Sequence, residues 1–201
     1  QRLIIASKSN KIRYISNGSK IMTDLKNNKK FINWFANKWR PHHDLNTYSG
    51  WQLMKHITPE DQILDIGCGY NVFKKHLGDR IYGIDIANSN ADSNISWEEY
   101  IPHKEFNVFF VLGSINFVSE EFVNEQIAKI SKYAKPGSRI YWRQNPGIPG
   151  RGCGGVGKYD TPVFDWSFEY NEKLSKQNGF KVVDLKWELR QRRIYAEWIK
   201  Q

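Results

Sequence analysis

The most regular pattern in the chain is an apolar run at residues 62–66, a glycine turn, and a second apolar run at residues 81–86. It predicts a buried strand, a tight turn, a short helix and a second strand that ends at a carboxylate. α/β folds form nucleotide pockets in this order, because glycines let the backbone approach the ligand and the acid receives ribose hydroxyls. Asp65 and Asp85 are 20 residues apart, which fits the expected spacing.

The pattern outside this core predicts a basic N-terminal extension, residues 1–44, followed by one domain at residues 45–201. Asn17-Gly18 lies between two apolar stretches and is typical of a two-residue β-hairpin turn. Thr23 or Asp24 is expected to cap a helix that runs to about Trp39. Within the domain we expect further helices at residues 47–57 and 170–178, a short strand at residues 95–97, and an antiparallel strand pair at residues 182–187 and 193–199.

The residues in and around the glycine turn indicate which class of nucleotide ligand fits. A dinucleotide turn needs a third small residue where the helix packs on the strand, and Val72 stands there. Asp65, directly before the turn, would place a negative charge beside a pyrophosphate. An acid at that position suits a ligand with an ammonium group, such as S-adenosylmethionine, so a nicotinamide-dependent reductase is disfavoured.

The segment Asp65-Ile66-Gly67-Cys68-Gly69 resembles the first motif of class I S-adenosylmethionine-dependent methyltransferases, and Gly83-Ile84-Asp85 resembles their second. Three later segments continue the resemblance in order. They are residues 106–115, which resemble the fourth strand and its turn, residues 134–142, which resemble the "L-K-P-G-G" entry to the fifth strand, and residues 178–183, which resemble the "G-F" turn before the sixth. Asn71 replaces a frequent third glycine, and asparagine tolerates positive φ better than most residues.

The resemblance implies a doubly wound, mostly parallel seven-stranded Rossmann-like α/β sheet, with S-adenosylmethionine as cofactor. No metal is expected, because Cys68 and Cys153 have no further Cys/His cluster for zinc. It also implies methyl transfer by in-line displacement to an unidentified acceptor, which could be a small molecule, a sugar or a nucleic acid. Asp65 would orient the amino group of the cofactor, Asp85 would bind the ribose, and Ile86 would flank the adenine. The other implied cofactor-binding residues are Gly67, Cys68, Gly69, Gly113 and Ser114.

The positive charge is concentrated at the N-terminal end. Residues 1–60 carry 11 Lys and Arg against 3 Asp and Glu, whereas residues 61–150 carry 9 against 11. Basic residues interleaved with Phe31, Trp34 and Trp39 are the composition that engages phosphates and stacks on bases, so an anionic acceptor or nucleic acid is one expectation. The helical spacing of these aromatic residues equally predicts a stripe that packs on the sheet, which we favour. A non-catalytic binding module that uses the basic segment is the alternative function.

Candidate catalytic residues are chosen by their expected position relative to the methyl acceptor. Arg143 and Asn145 end the predicted fifth strand, where an acceptor would lie, and His43 could act as a general base from the N-terminal segment. The segment at residues 145–157 holds six of the fifteen glycines and is interpreted as a mobile lid, with a plain connector as the alternative. Base-directed enzymes are disfavoured, because no Asp/Asn-Pro-Pro-aromatic turn follows residue 112 and neither Cys68 nor Cys153 follows a proline.

Two further expectations come from composition. No apolar run approaches the roughly 20 residues that span a bilayer and no signal peptide opens the chain, so we expect a cytoplasmic protein without a membrane partner. The richness in Lys, Asn and Ile suggests an AT-rich genome, such as that of a phage.

Overall fold

The structure is a computed structural model that describes residues 28–39, 49–146, 163–188 and 193–201. His43, the Asn17-Gly18 turn and most of the glycine-rich segment lie outside these residues. A six-stranded sheet forms the centre, in the order β2-β1-β3-β4-β6-β5. Its strands are β1 (Ile63–Ile66), β2 (Ile81–Ile84), β3 (Val108–Val111), β4 (Arg139–Gln144), β5 (Phe180–Trp187) and β6 (Ile194–Lys200).

The first four strands pair in parallel, and β6 runs antiparallel to both of its neighbours, β4 and β5. The α/β class and the mostly parallel sheet are therefore confirmed. All four side chains of β1 and of β3 are buried, which is the burial expected for strands covered by other elements on both faces.

Successive side chains of a strand point to opposite faces of the sheet, so the buried residues form two layers, one on each face. Leu64, Phe109 and Trp142 belong to the layer covered by the helices α3 (Glu120–Tyr133) and α4 (Phe168–Gln177). The opposite layer contains Phe110 and Tyr141 and is covered by a 3₁₀ helix (Ser49–His56) and the short helix α2 (Lys74–Leu77), which a 3₁₀ turn (Gly78–Arg80) follows. None of the helices in the described part of the chain is long and apolar enough to cross a membrane.

The seventh strand is not formed in the described residues. Residues 95–97, where the strand is expected, form no strand, and a single parallel bridge joins Ser93, two residues earlier, to Ile84. The preceding loop is held by its own polar side chains, since Asn94 Nδ2 donates to the Asp85 carbonyl at 2.7 Å and the Asn90 N–H donates to Asn88 Oδ1 at 3.0 Å. These local hydrogen bonds compete with a strand ladder.

The first described helix, α1 (Lys29–Asn33), continues into a π-helical turn (Trp34–Lys38). It is capped by Asn28, whose Oδ1 accepts from the Phe31 N–H at 3.0 Å. Thr23 and Asp24, the expected caps, lie outside the described residues. Asparagine ranks at least as high as threonine and aspartate at this position, and Asn28 has the extended ψ that a cap needs. The helix expected at residues 47–57 is a 3₁₀ helix instead.

Candidate functional site

The turn that follows β1 depends on three residues with positive φ. Gly67 has φ of +74°, Gly69 of +55° and Asn71 of +53°. The N–H groups of Gly67 and Cys68 both donate to the Ile84 carbonyl, at 2.8 and 3.0 Å. The turn is thereby fastened to the end of β2, which brings the two sequence motifs together at the carboxyl edge of the sheet.

Ser114 packs directly on Gly67. A side chain at Gly67 would put its Cβ only 2.3 Å from Ser114 Cβ, closer than two non-bonded carbon atoms can approach. Ser114 Oγ donates to the carbonyl of Ile66, the residue before the turn. Glycine is therefore needed here for contact with another part of the protein. Gly113, by contrast, has φ of +124° and no atom within 4 Å of where a Cβ would lie.

Asp85 organises the edge of the site from the end of β2. Its Oδ2 accepts from the Gly69 N–H at 2.9 Å, and its Oδ1 accepts from the N–H groups of Ala87 and Asn88, both at 2.8 Å. A carboxylate offers about four acceptor positions. One position therefore remains for a ligand after these backbone contacts are made.

Asp65 lies at the centre of the site, within β1. Its side chain is almost fully buried, with the residue 3% exposed, and it accepts no hydrogen bond from the residues that the structure describes. Burial, with a smaller contribution from the charge of Asp85, raises the pKa of Asp65 to about 8. A buried carboxyl group without a hydrogen-bond partner is costly unless a ligand supplies a donor or a positive charge.

Cys68 faces away from any open surface. Its Sγ lies 2.7 Å from where a Cβ on Gly83 would be, so the thiol fills the space between the turn and β2. Burial, and then the charge of Asp65, raise the pKa of the Cys68 thiol far above its usual range. Since the thiolate is the nucleophilic form, the raised pKa keeps Cys68 in its less reactive thiol form. Only its backbone is left for contact with a ligand.

The aromatic residues of the N-terminal segment pack on the loops that surround the candidate site. Trp39 lies against Gly69, with a ring carbon 2.8 Å from where a Cβ would lie, and stacks on Tyr70 at 5.9 Å between ring centroids. Phe31 is buried against Phe117, with centroids 5.0 Å apart. The expectation that the stripe packs on the sheet is wrong in detail, because these rings pack on the loops at the sheet's carboxyl edge.

Ile86, expected beside the adenine, is half-buried and packs against this same aromatic cluster. One wall of the candidate site is therefore apolar, and the N-terminal segment builds part of it.

The two described candidates at the end of β4 lie in different surroundings. Arg143 Nε lies 3.4 Å from Glu188 Oε2 and lines a cleft of about 200 Å³. Asn145 acts through its backbone: its N–H donates to Asn116 Oδ1 at 3.0 Å, and its carbonyl accepts from the Trp166 N–H at 2.9 Å. The structure therefore gives Arg143 a place beside a cavity and Asn145 a role in holding the adjoining loop.

Asp92 is a structural part of the site that the sequence did not indicate. Its Oδ2 accepts from the Gly83 N–H at 2.8 Å and from Asn71 Nδ2 at 3.1 Å, while Oδ1 pairs with Lys74 Nζ at 3.0 Å. Burial acts to raise the pKa of Asp92, but these hydrogen bonds and the charge of Lys74 outweigh it and lower the pKa. The only signal in the sequence is one acid in a polar run, which does not identify its partners.

No protein-family model and no curated protein matches the chain. Many solved structures share its fold. The 1,6-didemethyltoxoflavin-N1-methyltransferase of Burkholderia thailandensis, solved with its acceptor and S-adenosylhomocysteine, has a TM-score of 0.69 at 13% identity, over 90% of this chain and 89% of its own. The magnesium protoporphyrin IX methyltransferase of Synechocystis, solved with S-adenosylhomocysteine, has a TM-score of 0.61 at 13% identity, over 91% of this chain and 100% of its own.

The N-methyltransferase NodS of Bradyrhizobium japonicum, also in complex with S-adenosylhomocysteine, has a TM-score of 0.59 at 11% identity, over 84% of this chain and 95% of its own. At these identities the comparisons establish the fold. The chain has the Rossmann-like fold of class I S-adenosylmethionine-dependent methyltransferases, as the order of its motifs indicated.

Proposed function

We propose that the chain is an S-adenosylmethionine-dependent methyltransferase that acts by in-line displacement. The observation that carries this proposal is the buried Asp65 carboxyl group, which has no hydrogen-bond partner among the described residues and lies beside the glycine turn. An α-amino group would supply both the positive charge and the hydrogen bonds that this carboxyl group lacks. The shared fold with proteins solved in complex with S-adenosylhomocysteine supports the same cofactor.

The chain offers a group for each part of this cofactor. Asp65 would hold the amino group, and the remaining acceptor position of Asp85 would receive a ribose hydroxyl. Gly113, which has open space around it, and Ser114 would contact the methionine end, while Ile86 and its aromatic neighbours would form the apolar wall beside the adenine. When bound, the cofactor supplies an activated methyl group on a sulfonium.

The protein would align the acceptor with the methyl group of the cofactor and exclude water from the site. These two effects can lower the barrier to methyl transfer by several kcal/mol without a protein nucleophile. Cys68 is buried and its pKa is raised, so the proposal assigns it no covalent intermediate and the methyl group is transferred directly. Arg143 is proposed to contact the acceptor. His43, as a general base, stays a proposal from the sequence.

Calorimetric titration of S-adenosylhomocysteine tests this function. We expect binding to the wild type, with NAD as a ligand that does not bind. Asp65→Asn and Asp85→Asn should each weaken binding at least tenfold, which corresponds to about 1.4 kcal/mol. Asp79→Asn is the matched control, since its fully exposed side chain follows α2 at the opposite edge of the sheet.

Two results would contradict the proposal. Wild-type protein that is folded by circular dichroism but binds neither S-adenosylmethionine nor S-adenosylhomocysteine would redirect attention to the basic N-terminal segment as a binding surface. Equal affinities in Asp65→Asn and wild type would remove the observation that carries the proposal.

A further inference from the structure

A cleft of about 200 Å³ opens between the 3₁₀ helix (Ser49–His56) and the ends of β5 and β6. It is separate from the glycine turn and from Asp85, neither of which lines it. The side chains that matter for its chemistry are Leu53, Lys55, Leu112, Arg143, Lys186 and Tyr195.

Strand register places the cleft beside the proposed cofactor site. Asp65 pairs with Phe110 and Phe110 with Tyr141, so Leu112 and Arg143, two residues further along β3 and β4, lie on the same face just beyond Asp65. Neighbouring strands are about 4.8 Å apart, so Arg143 is roughly 10 Å across the sheet from the turn after β1. An acceptor in this cleft would approach from the side of Leu112, the residue before Gly113.

The cleft carries an excess of positive charge. Lys55, Arg143 and Lys186 line it, together with the carboxylate of Glu188. Lys186 Nζ also pairs with Asp184, which lies outside the lining, so three cations stand against two carboxylates. Glu188 contacts Arg143 through Nε alone, at 3.4 Å. A guanidinium has five N–H donors, so its terminal nitrogens remain for a carboxylate or a phosphate, which they bind in a bidentate way. Glu188 thus orients the guanidinium group of Arg143 and leaves its two terminal nitrogens available to a ligand in the cleft.

The remaining walls are apolar and aromatic. Leu53 is buried, and Tyr195 is half-buried beneath Lys186, whose Nζ lies 4.9 Å from the ring centroid. The volume is below the roughly 300–1,000 Å³ of sites that take drug-sized ligands. A single planar ring with one anionic substituent fits a cleft of this size, lining and charge.

Resting on the proposed function, we infer that this cleft binds the methyl acceptor, and that the acceptor is a small planar molecule whose carboxylate or phosphate is held by Arg143. This assigns the excess positive charge of the cleft to substrate recognition. It also gives Arg143 a specificity-determining role that does not require proton transfer.

Saturation-transfer NMR with three probes tests the inference: 4-hydroxybenzoate, phenyl phosphate and the neutral 4-hydroxybenzamide. We expect at least one anion to bind at least fivefold more tightly than the amide, and the two anions separate a carboxylate site from a phosphate site. Arg143→Gln should weaken binding of that anion about tenfold and leave the amide unchanged, and Lys186→Gln should weaken it less. Lys181→Gln, an exposed lysine of β5 outside the cleft, is the matched control and should change nothing.

The outcomes separate this inference from the proposed function, because S-adenosylhomocysteine binding is measured independently. Cofactor binding without binding of either anion overturns the acceptor site alone. Displacement of the anions by S-adenosylhomocysteine also overturns it, since the cleft would then belong to the cofactor. Anion binding by a folded protein that binds no cofactor overturns the methyltransferase function. Preference for a single-stranded oligonucleotide over both small anions rules out a small acceptor.

Discussion

Asp65 is buried next to Asp85, whose negative charge adds to the larger effect of burial and raises the pKa of Asp65 to about 8. The two carboxyl groups differ in their partners as well as in their surroundings. Asp85 accepts three backbone N–H groups, whereas Asp65 accepts none from the described residues. The two acids therefore differ in what they contact, since Asp85 holds the backbone of two loops and Asp65 has no hydrogen-bond partner among the described residues.

The ligand-free protein should lose stability as the pH rises. The pKa of Asp65 is raised in the folded state, so that state binds more protons than the unfolded chain between pH 4 and 8. Its contribution is fully present below the unfolded pKa and is lost as the pH rises through the folded pKa. A single group gives a slope of up to about 1.4 kcal/mol per pH unit.

Urea unfolding of wild type and Asp65→Asn at pH 5, 6 and 7 measures this effect. The difference in free energy of unfolding between the two proteins should change steadily in favour of Asp65→Asn as the pH rises. Asp92→Asn serves as a control, because the lowered pKa of Asp92 confines its titration to more acidic solution. A pH-independent difference between wild type and Asp65→Asn would show that Asp65 is ionised throughout.

Binding of the cofactor product should release a proton near pH 6.5. Asp65 is largely protonated at that pH, and the ammonium group of S-adenosylhomocysteine would lower its pKa so that the proton leaves to the buffer. Calorimetry in two buffers of different ionisation enthalpy should give a release that approaches one proton. Asp65→Asn should bind with no such release, and a buffer-independent enthalpy in the wild type would contradict the assignment.

Gly69→Ala should destabilise the fold mainly through Trp39. The new Cβ would lie 2.8 Å from the indole ring, and φ of +55° adds strain of about 1 kcal/mol that does not depend on the ring. In the Trp39→Ala background only the strain remains. Urea unfolding of the four proteins in this double-mutant cycle should give a coupling energy of about 1–3 kcal/mol. Additive costs would mean that Trp39 does not lie on the glycine turn in solution.

Cys68 should resist alkylation in the native protein. It is buried and its pKa is raised, so both access and the thiolate form are lacking. Iodoacetamide at pH 8, followed by peptide mass spectrometry, should leave the Cys68 peptide unmodified for hours and modify it rapidly in urea. The Cys153 peptide provides an internal reference in the same digest. Native-state alkylation of Cys68 at the rate seen in urea would show that the turn opens.

Much of the cofactor half of the site could be predicted because its requirements are local. Positive φ at Gly67 and Gly69 follows from residue type, and the tolerance of Asn71 for the same conformation is confirmed by its φ of +53°. The spacing of Asp65 and Asp85 follows from one strand–helix–strand unit. The seventh strand, expected at residues 95–97, is not formed there, and the loop from Asp85 to Asn94 makes local hydrogen bonds in place of a strand ladder.

The sequence by itself determined where the buried strands lie and which turn carries the paired acids, since hydrophobic period and glycine are properties of short segments. Only the tertiary structure decided that Ser114 fills the space beside Gly67, that Trp39 covers Gly69, and that Glu188 orients Arg143. Each of these contacts joins residues 30 or more positions apart. A one-dimensional pattern shows that a side chain must be covered, but the partner is chosen by how strands and loops pack in space.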